Sequence, residues 1–434
     1  MRNNIVRYAS ALALALVLSR PPCSLPSPDQ QQAGHLKRIE GACLVYLQGD
    51  PYEMGLQQGA LLRGELRGLI QDYLYGRVMV ASAGRHFWLL SQARLLDRGI
   101  PDRLRQEMQG VAAGAGLAYQ DVLLLNVVPD LQALTRKEPS WDLFPALFSG
   151  DIQSLSPARS SLCTVFAGWG SATAEGELLV GHNLDCAESD LLRQYVALIV
   201  RQPVEGNASV ALGLMGTVGA WAGMNEEQVS VALSSSPSAD VTISGRPLPL
   251  LLRQVLENSG NLAEAVNLLL SAERLYGGNV ILGDGKTPQG VVLELSAHRH
   301  ALFEADGSSD LLLRTNHFLD TELALAQQRV LSPEERAASA VRMQRLQDVL
   351  QLNQGWIGID KALALLGDVD DVPSADSGGM GTLQTVLLSP ARLTLWIARD
   401  SADTVPSDAE GGRSTPPSTS YIKLDFAAEL LGRR

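Results

Sequence analysis

The sequence is poor in the features by which many binding proteins are recognised. Aromatic residues make up only 5% of the 434 residues, and the 35 Lys and Arg residues are scattered along the chain. The formal net charge is -12. Because phosphate binding needs clustered positive charge, we expect neither nucleic acid nor an anionic membrane as partner. After residue 30 no apolar run is long enough to cross a bilayer, so we expect no integral membrane segment.

Cysteine is also scarce, with four residues at positions 23, 43, 163 and 186. They form no CxxC pair and no Cys/His cluster, which argues against a zinc site. Their spacing is not that of a disulfide scaffold. We therefore expect no metal and no cofactor.

The N-terminus has the pattern of an export signal. Two arginines, Arg2 and Arg7, precede the apolar run 11–18, which is too short for a membrane span. We expect residues 1–20 to be a signal peptide and residues 21–38, rich in Pro, Ser and Gln, to be a linker. The protein would then be exported. If the segment is instead a disordered leader or a first helix, a cytoplasmic location follows.

The whole sequence is 46% hydrophobic. From residue 39 onward it divides into two regions with different secondary-structure patterns. Residues 39–162 are mainly helical in pattern, whereas 163–434 alternate strands with a few helices, so the sequence predicts an α+β fold. The predicted helices are 52–75, 86–98, 101–113, 119–126, 246–257, 261–271 and 333–351. The predicted strands are 41–48, 163–167, 177–181, 194–201, 207–214, 229–233, 279–283, 290–295, 382–388, 393–398 and 421–424. We expect a loop at 401–420.

A predicted hairpin brings reactive groups together. Its turn lies at 174–176, where Gly176 suits a left-handed backbone. The returning strand then brings residues 183–185 level with residues 163–165, within about two residues. A thiol (Cys163), an amide (Asn183) and a carboxylate (Asp185) therefore meet at one end of a sheet.

The thiol of Cys163 needs a base, because a free thiol of pKa about 8.5 is mostly protonated at neutral pH. The base could be a histidine. It could also be the α-amine of Cys163 itself, which titrates near about 8 and is free only if the chain is cut after Leu162. A buried apolar role for Cys163 and a turn role for 183–185 stay open on spacing alone.

Several segments, in order, resemble one enzyme family. Residues 163–185 (CTVFAGWGSATAEGELLVGHNLD) resemble the mature N-terminus of the C45 peptidase family, which includes the acyl-coenzyme A:6-aminopenicillanic acid acyltransferases. More distantly, they resemble choloylglycine hydrolases and acid-ceramidase-like amidases. Further family-like segments are 51–59, 107–117, 223–226, 278–284, 315–318 and 342–346. The resemblance implies the four-layer αββα sandwich of N-terminal-nucleophile hydrolases.

The resemblance also implies residue roles. Cys163 matches the nucleophile, and Asp185 matches the carboxylate that holds the freed α-amine, with Asn183 orienting the same segment. Asn316 matches an Asn that binds the substrate carbonyl or the oxyanion. Arg342 matches an Arg whose charge favours the thiolate, and Arg345 is its rival for that role.

The sequence departs from the family at three places. His182 stands where the family has Arg, so we expect it to titrate near neutrality and to add a falling limb to the activity profile above neutral pH. Ser234, Ser235 and Ser236 stand where an oxyanion-hole Asn is usual, so Ser234 and Ser235 join Asn316 as oxyanion candidates. Leu162 precedes the cleaved bond where Gly is frequent.

These features predict an enzyme that activates itself by cleavage between Leu162 and Cys163. The small piece (39–162) and the large piece (163–434) would form one catalytic domain. It would hydrolyse or transfer the acyl group of an N-acyl amide through an acyl-enzyme. Two alternatives remain: a Cys-His hydrolase without self-cleavage, using His182 or His317, and an exported binding protein with the same fold. The sequence identifies neither the acyl group nor the oligomeric state.

Overall fold

The computed structural model describes most of the chain from Gly34 onward. The described residues are 34–79, 83–135, 163–186, 189–305, 307, 309–369, 381–398 and 421–431. The predicted signal peptide 1–20, most of the linker, Leu162 and the predicted loop 401–420 lie outside them.

The N-terminal segment begins with two strands and continues as helices. The strands are β1 (His35–Ile39) and β2 (Ala42–Gly49). The helices are α1 (Pro51–Leu61), α2 (Arg63–Leu69), a π-helical stretch (Ile70–Val78), α3 (Ala83–Asp97), α4 (Asp102–Ala115) and α5 (Tyr119–Thr135). The predicted helix 52–75 is therefore broken at Leu62, whose φ is −110°.

Strand β1 corrects the predicted linker boundary. His35 pairs with Tyr46 and Ile39 with Ala42, so residues 35–38 belong to a sheet and not to a linker. The strand is short, lies at the sheet edge and carries Lys37 and Arg38. Such a polar edge strand lacks the apolar run by which buried strands are recognised.

The remainder of the chain supplies the other thirteen strands and seven α-helices of the described residues, together with two short 3-10 turns at Arg193–Tyr195 and Pro390–Arg392. The strands are β3 (Thr164–Gly168), β4 (Leu179–Cys186), β5 (Val196–Pro203), β6 (Ser209–Leu214), β7 (Ala222–Asn225), β8 (Val229–Ser235), β9 (Gly278–Asp284), β10 (Gln289–Leu295), β11 (His300–Phe303), β12 (Leu311–Arg314), β13 (Gly381–Ser389), β14 (Thr394–Ala398) and β15 (Tyr421–Asp425). The helices are α6 (Ser189–Leu192), α7 (Leu248–Asn258), α8 (Leu262–Ser271), α9 (Thr321–Gln327), α10 (Pro333–Leu352), α11 (Ile359–Val369) and α12 (Phe426–Leu431).

These strands form two sheets. The nine-stranded sheet has the order β1-β2-β5-β6-β7-β8-β9-β10-β11, and the six-stranded sheet has the order β12-β3-β4-β13-β14-β15. In the larger sheet β2 runs parallel to β5, with Leu44 opposite Leu198. The N-terminal segment thus contributes two strands to a sheet whose other strands follow Cys163.

The sheets and helices stack in four layers. Helices α7 and α8 bury their apolar sides on one face of the larger sheet. Helices α10 and α11 pack on the outer face of the smaller sheet, against Phe166, Leu179 and Leu387. The inner faces of both sheets share one core, which the N-terminal helices extend. The order helix, sheet, sheet, helix confirms the predicted α+β class and the αββα sandwich.

Helices α1 and α4 approach each other closely because glycines line both. A Cβ built on Gly55 would lie 1.9 Å from the Glu107 carbonyl oxygen, and one on Gly110 would lie 2.2 Å from the Tyr52 carbonyl oxygen. Gly59 and Gly114 make equivalent contacts one turn further along. The glycines interrupt the helical sequence pattern, and they are also what allows the two helix backbones to come into contact.

We expect Gly55→Ala to lower the free energy of unfolding by about 1–3 kcal/mol, because the added methyl group forces the two backbones apart. Gly64→Ala is the matched control, since a Cβ there meets nothing within 4 Å. Gly64 lies inside α2, so this change should stabilise by about 0.5–1 kcal/mol. Denaturant unfolding of both variants tests the contact, and equal effects would contradict it.

Candidate active site

The β3–β4 hairpin places Cys163 as the sequence predicts. Thr164 pairs with Asn183 and Val165 with His182, which puts residues 183–185 level with the start of β3. Cys163 directly precedes β3 and is only 2% exposed. It belongs to the core between the two sheets, so its thiol lies in a dry environment at the end of a strand.

Arg342 of α10 brings a positive charge to this end of the sheet. The side chain is 6% exposed, and burial lowers the pKa of its guanidinium, while the negative charges of Asp185 and Cys163 act to raise that pKa. The three groups are therefore within electrostatic reach of one another. Arg345, the rival by sequence, is exposed on the same helix. Of these two arginines, the structure places Arg342 with the thiol.

Asn316 connects Arg342 to the larger sheet. Its Oδ1 accepts a hydrogen bond from Arg342 Nη2 at 2.6 Å. Its Nδ2 donates to Ser234 Oγ at 3.2 Å and to the Ser235 carbonyl oxygen at 2.8 Å. Both hydrogens of Nδ2 are thus in use, so Asn316 can donate to a substrate oxygen only by exchanging one of these bonds.

Three consecutive serines, Ser234 and Ser235 at the end of β8 and Ser236 just after it, differ in their contacts. Ser234 Oγ donates to the Thr315 carbonyl oxygen at 2.8 Å and lies 3.4 Å from the Cys163 carbonyl oxygen. Ser235 contributes its backbone oxygen to the Asn316 amide. Ser236 is fully buried, and its hydroxyl has no hydrogen-bond partner among the described residues. The buried Ser236 hydroxyl is therefore able to donate to a ligand.

Asn183 ties the hairpin to the outer helical layer. Its Nδ2 donates to the Leu366 carbonyl oxygen of α11 at 2.8 Å, and the side chain is fully buried. This bond anchors β4 to α11 at a point two residues before Asp185. The contact is consistent with a structural role in orienting the segment that carries the carboxylate.

His182 points into the core between the sheets, and its pKa differs from the near-neutral value that we expect from the sequence. It is 0% exposed, and burial lowers the pKa of its imidazole to about 4. Nε2 lies 3.0 Å from the Leu233 carbonyl oxygen, so this nitrogen carries the hydrogen. His182 is therefore neutral at neutral pH, and the falling limb that we expect from its titration above neutrality does not follow.

We expect His182→Gln to remove a pH dependence of stability. Because the folded-state pKa of His182 is depressed, its stabilisation is complete above pH ~6.5 and is lost as the pH falls toward 4. Between pH ~7.5 and pH ~5, wild type should therefore lose about 2 kcal/mol relative to the variant. Urea unfolding of both proteins in a Cys163→Ala background measures this difference. Parallel pH profiles would show that His182 is not buried as a neutral group.

His317 is held by a serine of α10. Its Nδ1 lies 2.8 Å from Ser339 Oγ and 3.2 Å from Thr315 Oγ1. Burial, together with the positive charges of Arg314, Arg342 and Arg336, lowers the pKa of His317 to about 4. Neither histidine therefore has the pKa near neutrality that a general base requires.

The segment that carries Asn316 is fixed by residues that the sequence analysis missed. Buried Glu294 accepts hydrogen bonds from Arg314 Nε at 2.8 Å and from the backbone N–H groups of Leu319 and Asp320. Asn279 Nδ2 donates to the carbonyl oxygens of Thr315 and His317. One signal was available: Glu294 is a charged residue inside the apolar run of β10. The others stand out only in three dimensions.

Neither a metal centre nor a membrane-spanning helix is visible in the described part of the chain. No three His, Cys, Asp or Glu side chains there group as metal ligands would. In the same residues, no helix has the length and apolar composition needed to cross a bilayer.

The four-layer αββα sandwich is the fold of the N-terminal-nucleophile hydrolases. The chain belongs to the acyl-coenzyme A:6-aminopenicillanic acid acyl-transferase family, whose model matches residues 172–404. The match includes Asn183, Asp185, Asn316 and Arg342, and it begins after Cys163.

Curated relatives are 22–27% identical to parts of the chain. An uncharacterised protein of Archaeoglobus fulgidus is 27% identical over 315 residues, covering 65% of this chain and 51% of that protein. An N-acylethanolamine-hydrolyzing acid amidase of Caenorhabditis elegans is 23% identical over 244 residues, covering 53% and 61%. The chain spans only half to three fifths of the length of these relatives.

Solved structures show weaker likenesses. A conjugated bile acid hydrolase variant from Clostridium perfringens superposes with a TM-score of 0.44 at 16% identity, over 61% of this chain and 93% of that one. The Caenorhabditis elegans amidase ortholog gives a TM-score of 0.40 at 20% identity, over 53% and 93%.

Proposed function

We propose that the protein is a cysteine amidohydrolase or acyltransferase that activates itself by cutting the bond between Leu162 and Cys163. The observation that supports this most is the electrostatic interaction of Arg342 with both Cys163 and Asp185, three buried groups near the start of β3. Family membership and the amidase relative agree with an N-acyl amide as substrate.

The α-amine of Cys163 is the proposed base. Cys163 first attacks the Leu162 carbonyl carbon, and the C–N bond to Cys163 breaks as the thioester forms, which frees the amine. Water then hydrolyses the thioester, which releases the Leu162 carboxylate and regenerates the Cys163 thiol. The amine then takes the thiol proton, and Asp185 holds the ammonium that forms. This assignment is supported by His182 and His317, whose pKa values of about 4 make them weak bases at neutral pH.

The positive charge of Arg342 has two uses in the acyl-transfer step. It stabilises the thiolate before attack, and it faces the charge that develops on the carbonyl oxygen of the substrate. A neutral His182 leaves Arg342 to supply this charge. Ser236 is the proposed additional donor to the oxyanion, because its buried hydroxyl has no partner among the described residues. Water then releases the acyl group, or an amine accepts it.

The proposed products of the cut stay together as one domain. The small piece (39–162) supplies β2, and the large piece (163–434) supplies β5 beside it. Export, which rests on the pattern of residues 1–20, would deliver this domain outside the cytoplasm.

N-terminal sequencing of the purified protein tests the proposal directly. We expect two fragments, one of which begins with Cys163, and we expect release of an amine from N-acyl amides. An iodoacetamide label should fall on Cys163. If the chain stays uncut but hydrolyses amides, a Cys-His mechanism with Nδ1 of His182 takes the place of the proposed one. An uncut chain with an inert Cys163 would favour a binding protein.

We expect Asp185→Asn to lower kcat by about 100-fold or more, because the ammonium form of the Cys163 amine loses its anionic partner. Asp348→Asn is the control, since this carboxylate is exposed on α10 and should change kcat less than twofold. Rates are measured per fragment that begins with Cys163, which separates turnover from self-cleavage. Near wild-type turnover by the correctly processed Asp185→Asn protein would remove Asp185 from the mechanism.

A further inference from the structure

The backbone of Asn316 is bonded on both sides. Its N–H donates to Ser339 Oγ at 2.9 Å, and its carbonyl oxygen accepts from Gln327 Nε2 at 3.2 Å. The side-chain amide is also fully used, through Arg342, Ser234 and Ser235. Every polar group of this residue is therefore fixed in direction, which is more than a turn residue needs.

Ser339 contacts every residue of the segment 315–317, which has Asn316 at its centre. Its hydroxyl lies 2.9 Å from Thr315 Oγ1, 2.9 Å from the Asn316 nitrogen and 2.8 Å from His317 Nδ1. Ser339 is 1% exposed. One buried hydroxyl thus contacts three consecutive residues, and the middle one is Asn316.

Ser339 and Arg342 act on Asn316 from the same helix. They are three residues apart on α10, and residues at that spacing share one helix face. Ser339 holds the main chain of Asn316, while Arg342 Nη2 donates to its Oδ1 at 2.6 Å. The distance between the Asn316 amide and the Arg342 guanidinium is therefore set by α10 itself.

We propose that Ser339 is a positioning residue for amide turnover. Its hydroxyl fixes the backbone of Asn316, so that Asn316 Oδ1 keeps Arg342 directed at Cys163 and the substrate carbonyl. The inference rests on the proposed function. Ser339 touches neither the thiol nor the substrate carbonyl in this role and acts through Asn316.

The chemistry explains why a hydroxyl is needed at position 339. Without it, the Asn316 N–H loses its acceptor, and Thr315 and His317 lose a shared partner in a buried place. The segment then shifts to find other partners. A shift of about 1 Å at a group that orients the reacting atoms costs about 100-fold in rate.

Ser339→Ala tests the inference, with Ser389→Ala as matched control. Ser389 is a fully buried serine whose hydroxyl contacts Glu177 at the opposite end of β13 from Asp185. We expect Ser339→Ala to lower kcat 10- to 100-fold with KM within about threefold, counted per chain that begins with Cys163. The control should stay within twofold. In an Asn316→Ala background, Ser339→Ala should have little further effect.

If Ser339→Ala yields no folded protein, Ser339→Cys is tested instead, with the same expected changes in kcat and KM. The thiol roughly keeps the volume of the hydroxyl but is a weak hydrogen-bond acceptor. A kcat within twofold of the control, or a loss that multiplies with that of Asn316→Ala, overturns the inference while the proposed function stands. An inactive, unprocessed wild type overturns both.

Discussion

Cys163→Ala should remain a single chain and should lose amide turnover by on the order of 10³-fold or more. In the proposed mechanism the thiol is the attacking group both for the cut after Leu162 and for the acyl-enzyme, so its removal should stop both steps. Alanine leaves the small buried space at the start of β3 almost filled, and the fold should survive. Electrophoresis, N-terminal sequencing and amide turnover of the purified variant measure the two losses together.

Cys43→Ala is the matched control for this experiment. Cys43 is also buried, 4% exposed on β2, and burial raises the pKa of its thiol, which makes it unreactive. The control should be cut and active like wild type. Cleavage of the Cys163→Ala chain at the same bond would show that another group, or another protein, performs the cut.

Glu107→Gln should lower the free energy of unfolding by about 3–5 kcal/mol. Glu107 of α4 lies between two buried arginines: its Oε1 is 2.8 Å from Arg201 Nε, and its Oε2 is 3.5 Å from Arg253 Nη2. Burial already lowers the pKa of the Arg201 guanidinium. Arg253 keeps Glu257 as a second partner at 2.6 Å. Glutamine preserves the shape and removes the charge, so Arg201 would be left buried without a carboxylate.

Glu227→Gln provides the comparison at the surface. Glu227 pairs with Lys286 at 2.7 Å, and both side chains are more than 40% exposed, so the expected loss is below about 1 kcal/mol. Urea unfolding of both variants in the Cys163→Ala chain keeps the measurement on one molecule. Similar losses for the two variants would mean that the charge on Glu107 is not what holds α4 to β5.

The hairpin that carries the thiol could be predicted because its information is local. The glycine turn at Gly176 and the alternation of the flanking strands fix the register, and the structure has Thr164 opposite Asn183. The long, charged helix 333–351 was also predicted to within one residue. The assignments of Asn316 and Arg342 came from resemblance, because nothing local distinguishes them from a turn residue and a surface charge.

Other parts of the site were not predictable from pattern. Ser339 lies on a helix with a polar pattern, where a serine predicts a solvated face, yet it is buried against the Asn316 segment. The low pKa of His182 depends on two sheets closing over it. Short elements such as β7, β11 and α9 were missed, because four to seven residues carry too little periodicity.

The parallel pairing of β2 with β5 has a consequence for how the protein can refold after it has unfolded. In the uncut chain this pairing forms within one molecule, so refolding is a first-order process. A cut before Cys163 makes the same pairing an encounter between two polypeptides, and the rate of recovery then depends on concentration. In dilute surroundings the processed protein would be assembled once, from its precursor. From then on its lifetime would be set by how slowly it opens, and not by the balance between folded and unfolded chains.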